Sequence, residues 1–239
     1  MAAVVQGAIE VRRLIGQPPV IVGGLAVLSR LSQPHRVTVD LDVVDRLHGE
    51  LPHLEVLRAS NGAEPVEPAA VLLPTAYGAV KVDVLEVRQV ELDQPSDDPG
   101  DRLHASAHAW ASDTATNVAF EVTRTGGEPI AVTTPVAEPG PLIAMKLQAV
   151  MNRSNHKQGT DLLDIMRLTF DPATRPAALS QLGSVDGAVA HDVALHVGHW
   201  FGSRRQESLQ RIRGAGGGDV TLDDVDLVME LLNSAVSRL

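Results

Sequence analysis

The sequence predicts an α/β (α+β) fold, with a sheet-based half over residues 1–136 and a helical half over 137–239. Three stretches carry this expectation. Val20 to Val43 reads as a short apolar strand, a Gly23-Gly24 turn, a helix, and a second strand with Asp40 and Asp42 two residues apart. Gly78 to Val90 alternates β-branched and polar residues over a full strand length, the period of a half-buried strand. From Pro139 onward the apolar residues fall at helical spacing, the mark of amphipathic helices.

In chain order, residues 3–15 predict a helix ended by Gly16 and the Pro18-Pro19 pair. Residues 20–23 predict the first strand and 24–32 the helix after it, and Gln33-Pro34 turns the chain into the Asp-x-Asp strand at 37–43. There Asp40 and Asp42 leave one face while Val39, Leu41 and Val43 point into a core. A one-residue slip would bury both carboxylates, so this register is well specified. Between 45 and 75 the pattern weakens to a short helix near Asp45 to Leu51 and strands at 54–58 and 70–74. A solvated loop, Asp93 to Asp101, precedes a short helix from His104 to Ala111; strands at 117–124 and 129–134 then form a hairpin around Gly126-Gly127. Helices are expected at Pro141 to Asn152, around Asp161 to Arg167, and at 175–182, 186–203 and 221–238, the last after a flexible Gly214 to Asp219 stretch and capped by Thr221.

Composition narrows the function. Aromatic residues make up only 3% of the chain, so its core must rest on Val, Leu, Ile and Ala. The absence of cysteine excludes disulfides and thiolate metal sites. Arg12 and Arg13 follow the first apolar stretch instead of preceding it, which reads as an amphipathic helix and not a signal peptide. No apolar run reaches the ~18 residues of a membrane span, and a cytoplasmic protein with no membrane partner is expected. A net charge of −10 argues against broad, non-specific nucleic-acid binding. It leaves room for a local basic groove from Arg153, His156, Lys157 and the cluster Arg204, Arg205, Arg211 and Arg213.

The chemistry concentrates in the first stretch. Two carboxylates on one face of a strand outline a metal site, and oxygen ligands suit a hard ion such as Mg²⁺. The bland alternative is a charged pair on the solvent face of a sheet. Gly23 and Gly24 let backbone N–H groups approach an anion at a helix N-terminus, although a glycine pair also serves any tight turn. Lys81 and Asp83 share one face of the Gly78 to Val90 strand and could simply pair with each other. Lys146, Val150 and Arg153 fall at i, i+4 and i+7 of one helix; Asp161, Asp164 and Arg167 follow at i, i+3 and i+6 of the next.

Gly-Gly-x-Ala, then Arg36-x-Thr38-x-Asp40-x-Asp42, then Lys146, Arg153 and Asp161-x-x-Asp164 resemble the AbiEii family of bacterial toxins, which includes the MenT toxins, within the polymerase-β-like nucleotidyltransferases. The resemblance covers about a third of the chain. It implies a mixed sheet whose helical C-terminal half completes the active-site cleft, and transfer of a nucleoside monophosphate from an NTP to an acceptor. It further implies two Mg²⁺ ions held by Asp40, Asp42 and a third carboxylate from a neighbouring strand, for which Asp83 is the residue available. Gly23, Gly24, Arg36, Thr38, Lys81, Arg153 and Lys157 would meet the NTP. Lys146 would approach the triphosphate, and Asp161 or Asp164 would be the acid of the following helix. The acceptor implied is RNA, tRNA in particular, and the partner a separately encoded antitoxin.

The sequence departs from the wider superfamily at Gly24, where many members carry Ser. The bland alternatives make Thr38 only a strand-favouring residue, Lys146 a snorkelling lysine, and Arg153 and Lys157 part of a solvated face. His104 and His108 stand at i, i+4 but lack further zinc ligands; His191, His196 and His199 read as packing residues on a core-facing helix. Two other functions stay open: a small-molecule nucleotidyltransferase of the aminoglycoside-modifying type, favoured by the acidic charge, and a catalytically idle nucleotide-binding member.

Overall fold

The computed structural model describes residues 1–123 and 127–237, without the side chains of Asn155 and His156. It is a mixed α/β protein with a seven-stranded mixed sheet, and its C-terminal part is largely helical. The chain forms two compact units: Met1–Ser29, Gln33–Gln89 and Ala111–Ala137 make the first, and Arg30–Ser32, Val90–Trp110 and Glu138–Leu239 the second. Residues 90–110 thus belong with the C-terminal helices. Among the described residues no helix is long and apolar enough to cross a membrane.

Among the described residues the first unit holds every strand: β1 (Val20–Val22), β2 (Asp40–Asp45), β3 (Glu64–Glu67), β4 (Ala70–Leu73), β5 (Val80–Glu86), β6 (Thr116–Val122) and β7 (Ile130–Val136), in the order β3-β4-β5-β2-β1-β7-β6. Pairing is parallel for β2 with β5 and β1 with β7, and antiparallel elsewhere. Leu41, Val43, Val80, Val82 and Val84 are buried on one face of β2 and β5. Helix α1 (Ala2–Ile15) lies over that face with Val4, Val5, Ala8 and Val11 buried. Gly7 permits the approach, because a Cβ there would stand 2.7 Å from Val80 Cγ1.

Several expectations needed correction. Val39 is 71% exposed, because β2 begins only at Asp40 and the residue before it stands outside the core. The segment expected as a strand at 54–58 is helix α3 (His53–Arg58), while the expected helix near Asp45 to Leu51 is the end of β2 and a loop. Buried Asp45 explains the change: its carboxylate accepts the backbone N–H of Leu47 at 2.8 Å and of His53 at 2.7 Å, which stops the strand and starts the helix. Strand β3, with four exposed residues including a proline, carries no hydrophobic alternation to announce it. The β6–β7 hairpin is present, but Arg124 and Gly126 of the expected strand end and turn lie outside the described residues.

The second unit contains α4 (Gln89–Asp93) from Val90 onward, α5 (Pro99–Asp113) to Trp110, α6 (Pro139–Asn152), α7 (Asn155–Phe170), α8 (Arg175–Leu182), α9 (Gly187–Val197), a π-helical segment (Gly198–Ser203), α10 (Arg205–Gly214) and α11 (Leu222–Val236). Helix α5 is longer than expected because Asp98 caps it, accepting the N–H groups of Gly100 at 2.8 Å and Asp101 at 3.0 Å. Thr221 and Asp224 form a capping box at α11; Arg238, at the end expected for that helix, lies outside the described residues. Of the three histidines expected to pack, His196 is buried, His199 half-buried and His191 exposed.

His104 and His108 have ring centroids 4.2 Å apart, and His108 Nδ1 donates to the His104 carbonyl at 2.6 Å. Burial, aided by His104, pushes the His108 imidazole down to about 3. The unfolded imidazole takes up a proton below about pH 6.5 while the folded one refuses it, so this group's support for folding is complete above 6.5 and is lost as pH falls toward 3. His108→Leu is expected to flatten that acid-side decline, an effect on the order of a few kcal/mol. Urea midpoints across the range test it, and an unchanged slope would contradict it.

Candidate active site

The residues singled out by sequence fall into two groups, one in each unit. In the first unit, β1 runs into α2 (Gly23–Arg30) with Gly23 at φ 61°. A Cβ on Gly23 would stand 2.0 Å from Asp42 Oδ2, so both the backbone conformation and the proximity of Asp42 require glycine. The Gly24 N–H points at the same oxygen across 3.4 Å. A Cβ on Gly24 would lie 3.0 Å from Arg36 Nη2 and 3.0 Å from Thr38 Oγ1. A serine at position 24 would need the Arg36 guanidinium and the Thr38 hydroxyl to give way by a few tenths of an ångström. Thr38 precedes β2 instead of belonging to it; it is buried and donates to the Asp40 carbonyl at 3.3 Å.

Asp40 and Asp42 are half-buried on β2, with the wholly buried Leu41 and Val43 turned the opposite way. Parallel register sets Asp42 opposite Asp83 and Asp40 opposite Lys81. The three acids therefore share one sheet face. Lys81 Nζ lies 3.1 Å from Asp83 Oδ1 and 3.0 Å from Glu67 Oε1. Burial alone would lower the Lys81 pKa, but its hydrogen bonds to Glu67 and Asp83 outweigh that and raise it. The pairing of Asp83 with Lys81 that the sequence allowed is thus present. Glu67 was not foreseen, since β3 gave no strand signal and only the folded sheet brings it to Lys81.

Carboxylate oxygens suit a hard divalent ion in chemistry, but among the described residues no three His, Asp or Glu side chains are grouped to hold one ion. Asp83 is engaged by Lys81, and Asp42 is turned toward the Gly23-Gly24 turn.

In the second unit, Lys146 does not snorkel. It is buried on α6 and its Nζ lies 2.7 Å from Asp161 Oδ1 and 2.8 Å from Asp164 Oδ2, both buried on α7. Burial pulls the ammonium pKa down, yet the two carboxylates raise it by more. Arg153, just past α6, reaches Asp161 Oδ2 at 3.2 Å, so both cations of the expected helix face meet one aspartate. Lys157 is exposed on α7. Arg167 pairs with Asp219 at 3.3 Å.

The basic cluster is likewise engaged. Arg205 pairs with Asp226 at 2.7 Å, Arg204 and Arg211 with Glu207, and Arg213 donates to the Val220 carbonyl. Arg204 and Arg211 also lie 5.5 Å from the Trp200 ring centre. A cavity of about 350 Å³ in this unit, lined by Asp98, Asp101, Met151, Leu195, His196 and His199 among others, contains none of the residues proposed for chemistry. Comparison with family models, with curated proteins and with solved structures returns no match.

Lys146→Met would leave two buried carboxylates near each other without their common cation. The expected loss is about 3–5 kcal/mol of unfolding free energy at neutral pH. Because its folded pKa is raised, the ammonium's contribution persists below 10.5 and is lost as pH rises through the folded value. Urea denaturation checks both statements; a loss under about 1 kcal/mol would mean that the carboxylates are otherwise neutralised.

Proposed function

We propose that the protein is a Mg²⁺-dependent nucleotidyltransferase of the polymerase-β-like type, moving a nucleoside monophosphate from an NTP to an acceptor hydroxyl. The observation that carries this reading is the row formed by the Gly23-Gly24 turn, Asp42 and Asp83, with Asp40 two residues before Asp42 on the same face. Asp40, Asp42 and Asp83 would hold the two ions, whose chemistry is to neutralise the phosphates and ease deprotonation of the attacking hydroxyl. The N-terminus of α2 supplies backbone N–H groups for an anion. Arg36 and Thr38, packed against Gly24, add a guanidinium and a hydroxyl to the same place. These groups orient the triphosphate so that the acceptor oxygen bonds to the α-phosphorus while the bond to pyrophosphate breaks. In the second unit, Lys146 with Asp161 and Asp164 supports the helices through a buried ion pair; a role toward the triphosphate would require Lys146 to leave one of them.

The acceptor proposed first is RNA, tRNA in particular, with the protein acting as a toxin restrained by a separately encoded antitoxin. A small cationic acceptor of the aminoglycoside kind is the second reading. It is favoured by one observation: Arg204, Arg205 and Arg211 share their charge with acidic side chains and Arg213 donates to a carbonyl, which lessens the basic groove offered to a polyanion.

Incubation with labelled NTPs and either total tRNA or an aminoglycoside panel separates the two acceptors. Asp42→Asn is expected to lower transfer at least about 10²-fold with circular dichroism unchanged. Full activity in that folded variant would refute the assignment, and metal-dependent NTP binding without turnover on any acceptor would favour the idle member.

A further inference from the structure

Two cavities of the second unit lie against the start of α5 and share one wall residue, Asp101. The larger, about 350 Å³, is walled by Asp98, Asp101, Met151, Leu195, His196 and His199 among others; the smaller, about 310 Å³, has Glu91, Ser96 and Asp101 in its wall. Among the described residues the Asp101 carboxylate has no hydrogen-bond or ion-pair partner. Its neighbour Arg102 is turned to Asp192 by two hydrogen bonds of 2.7 and 2.5 Å. His196 is only 6% exposed and gives its Nδ1 to the Asp192 carbonyl at 2.7 Å. The neutral ring then keeps one acceptor, the distal Nε2, which has no partner among the described residues and is left to the cavity that His196 walls. A buried imidazole with an unused acceptor calls for a donor from outside the chain.

Charge decides what that donor belongs to. The first N–H groups of α5 could draw an anion, but Asp98 already accepts those of Gly100 and Asp101 at 2.8 and 3.0 Å. Burial, then Arg204, holds the His199 imidazole below its ordinary value, so it adds no positive charge at neutral pH. Among the described residues neither cavity has Lys or Arg in its wall, which favours a cation. A bare metal ion is a poor occupant, because no three His, Asp or Glu side chains of the described residues are grouped to hold one. The occupant must therefore spread its charge along a body of its own, and Met151 and Leu195, each 46% exposed, offer that body an apolar wall. We propose that the two cavities form a binding site for a linear aliphatic polyamine: one ammonium meets the Asp101 carboxylate that both cavities share, another donates to His196 Nε2, and the methylenes lie on Met151 and Leu195. None of the residues assigned to nucleotidyl transfer walls either cavity, so the two readings fail separately.

Calorimetric titration of the full chain with spermidine at about 0.15 M salt tests this, since exposed charges farther apart than ~8 Å are largely screened there. Saturable binding is expected. Asp101→Asn is expected to weaken it about three- to tenfold, and His196→Leu about threefold or more. Asp97→Asn removes the same charge from an exposed residue that walls neither cavity. It is expected to leave the affinity within about twofold. Nitrogen NMR of the histidine rings gives the second readout: spermidine is expected to move the His196 Nε2 resonance, while butanediol and Mg²⁺ at the same concentration are not. No saturable binding, equal losses from Asp97→Asn and Asp101→Asn, or an Nε2 signal that Mg²⁺ moves as far as spermidine does would overturn the proposal. Asp101 is exposed, so its comparison with Asp97 stays decisive even if His196→Leu folds poorly.

Discussion

Parallel pairing of β2 with β5 sets Asp42 directly opposite Asp83 on one sheet face, while the apolar residues of the same strands fill the other. Like charges at strand spacing cost up to about 1 kcal/mol. A single buried Leu or Val returns about 1.5–3 kcal/mol. Leu41, Val43, Val80, Val82 and Val84, all buried on the opposite face, outweigh the cost several times over. Lys81 and the Gly24 N–H then reduce it locally. The same alternation that secures the core thus presents the acids, and neither can be shifted without the other.

The second unit meets charge differently. Lys146, Asp161 and Asp164 are removed from water altogether, and Arg102 grips the buried Asp192 with two hydrogen bonds of 2.7 and 2.5 Å. Desolvation cancels much of the attraction in such pairs, so they add little over an apolar replacement. Their physical consequence is directional: α6 and α7 can satisfy these charges only in the register where Lys146 meets both aspartates. Arg30 and Ser32 join this unit through Glu138 and Asp171, which explains why the last residue of α2 and the two after it leave the sheet's unit.

The proposed nucleotidyl transfer would place a polyanionic substrate on a protein with ten net negative charges. Most of the cations the sequence offered for that purpose already have partners: Arg153 has Asp161, and the four arginines around α10 have Glu207, Asp226 or a carbonyl. In the first unit a backbone turn has the Arg36 guanidinium and the Thr38 hydroxyl beside it. Under the proposed function such a place would meet a triphosphate sooner than a long nucleic-acid backbone.

Local pattern alone determined much. Strands β1, β2, β5 and the β6–β7 pair, the helices α1, α2, α6, α7, α8 and α11, the opposed faces of Leu41 and Asp42, and the Thr221 cap were all legible, because each depends on residues two to four positions apart. Beyond local reach, β3 and α3 were misjudged: the first is an exposed edge strand with proline, and the second starts where a buried aspartate catches a distant N–H. Only tertiary structure decided that Asp42 stands opposite Asp83, that Arg36 and Thr38 pack beside Gly24, that Glu67 shares Lys81 with Asp83, and that Lys146 is buried between two aspartates. Those facts depend on which strands and helices become neighbours and in what register. Residue spacing along one element leaves this choice open until the whole core is packed.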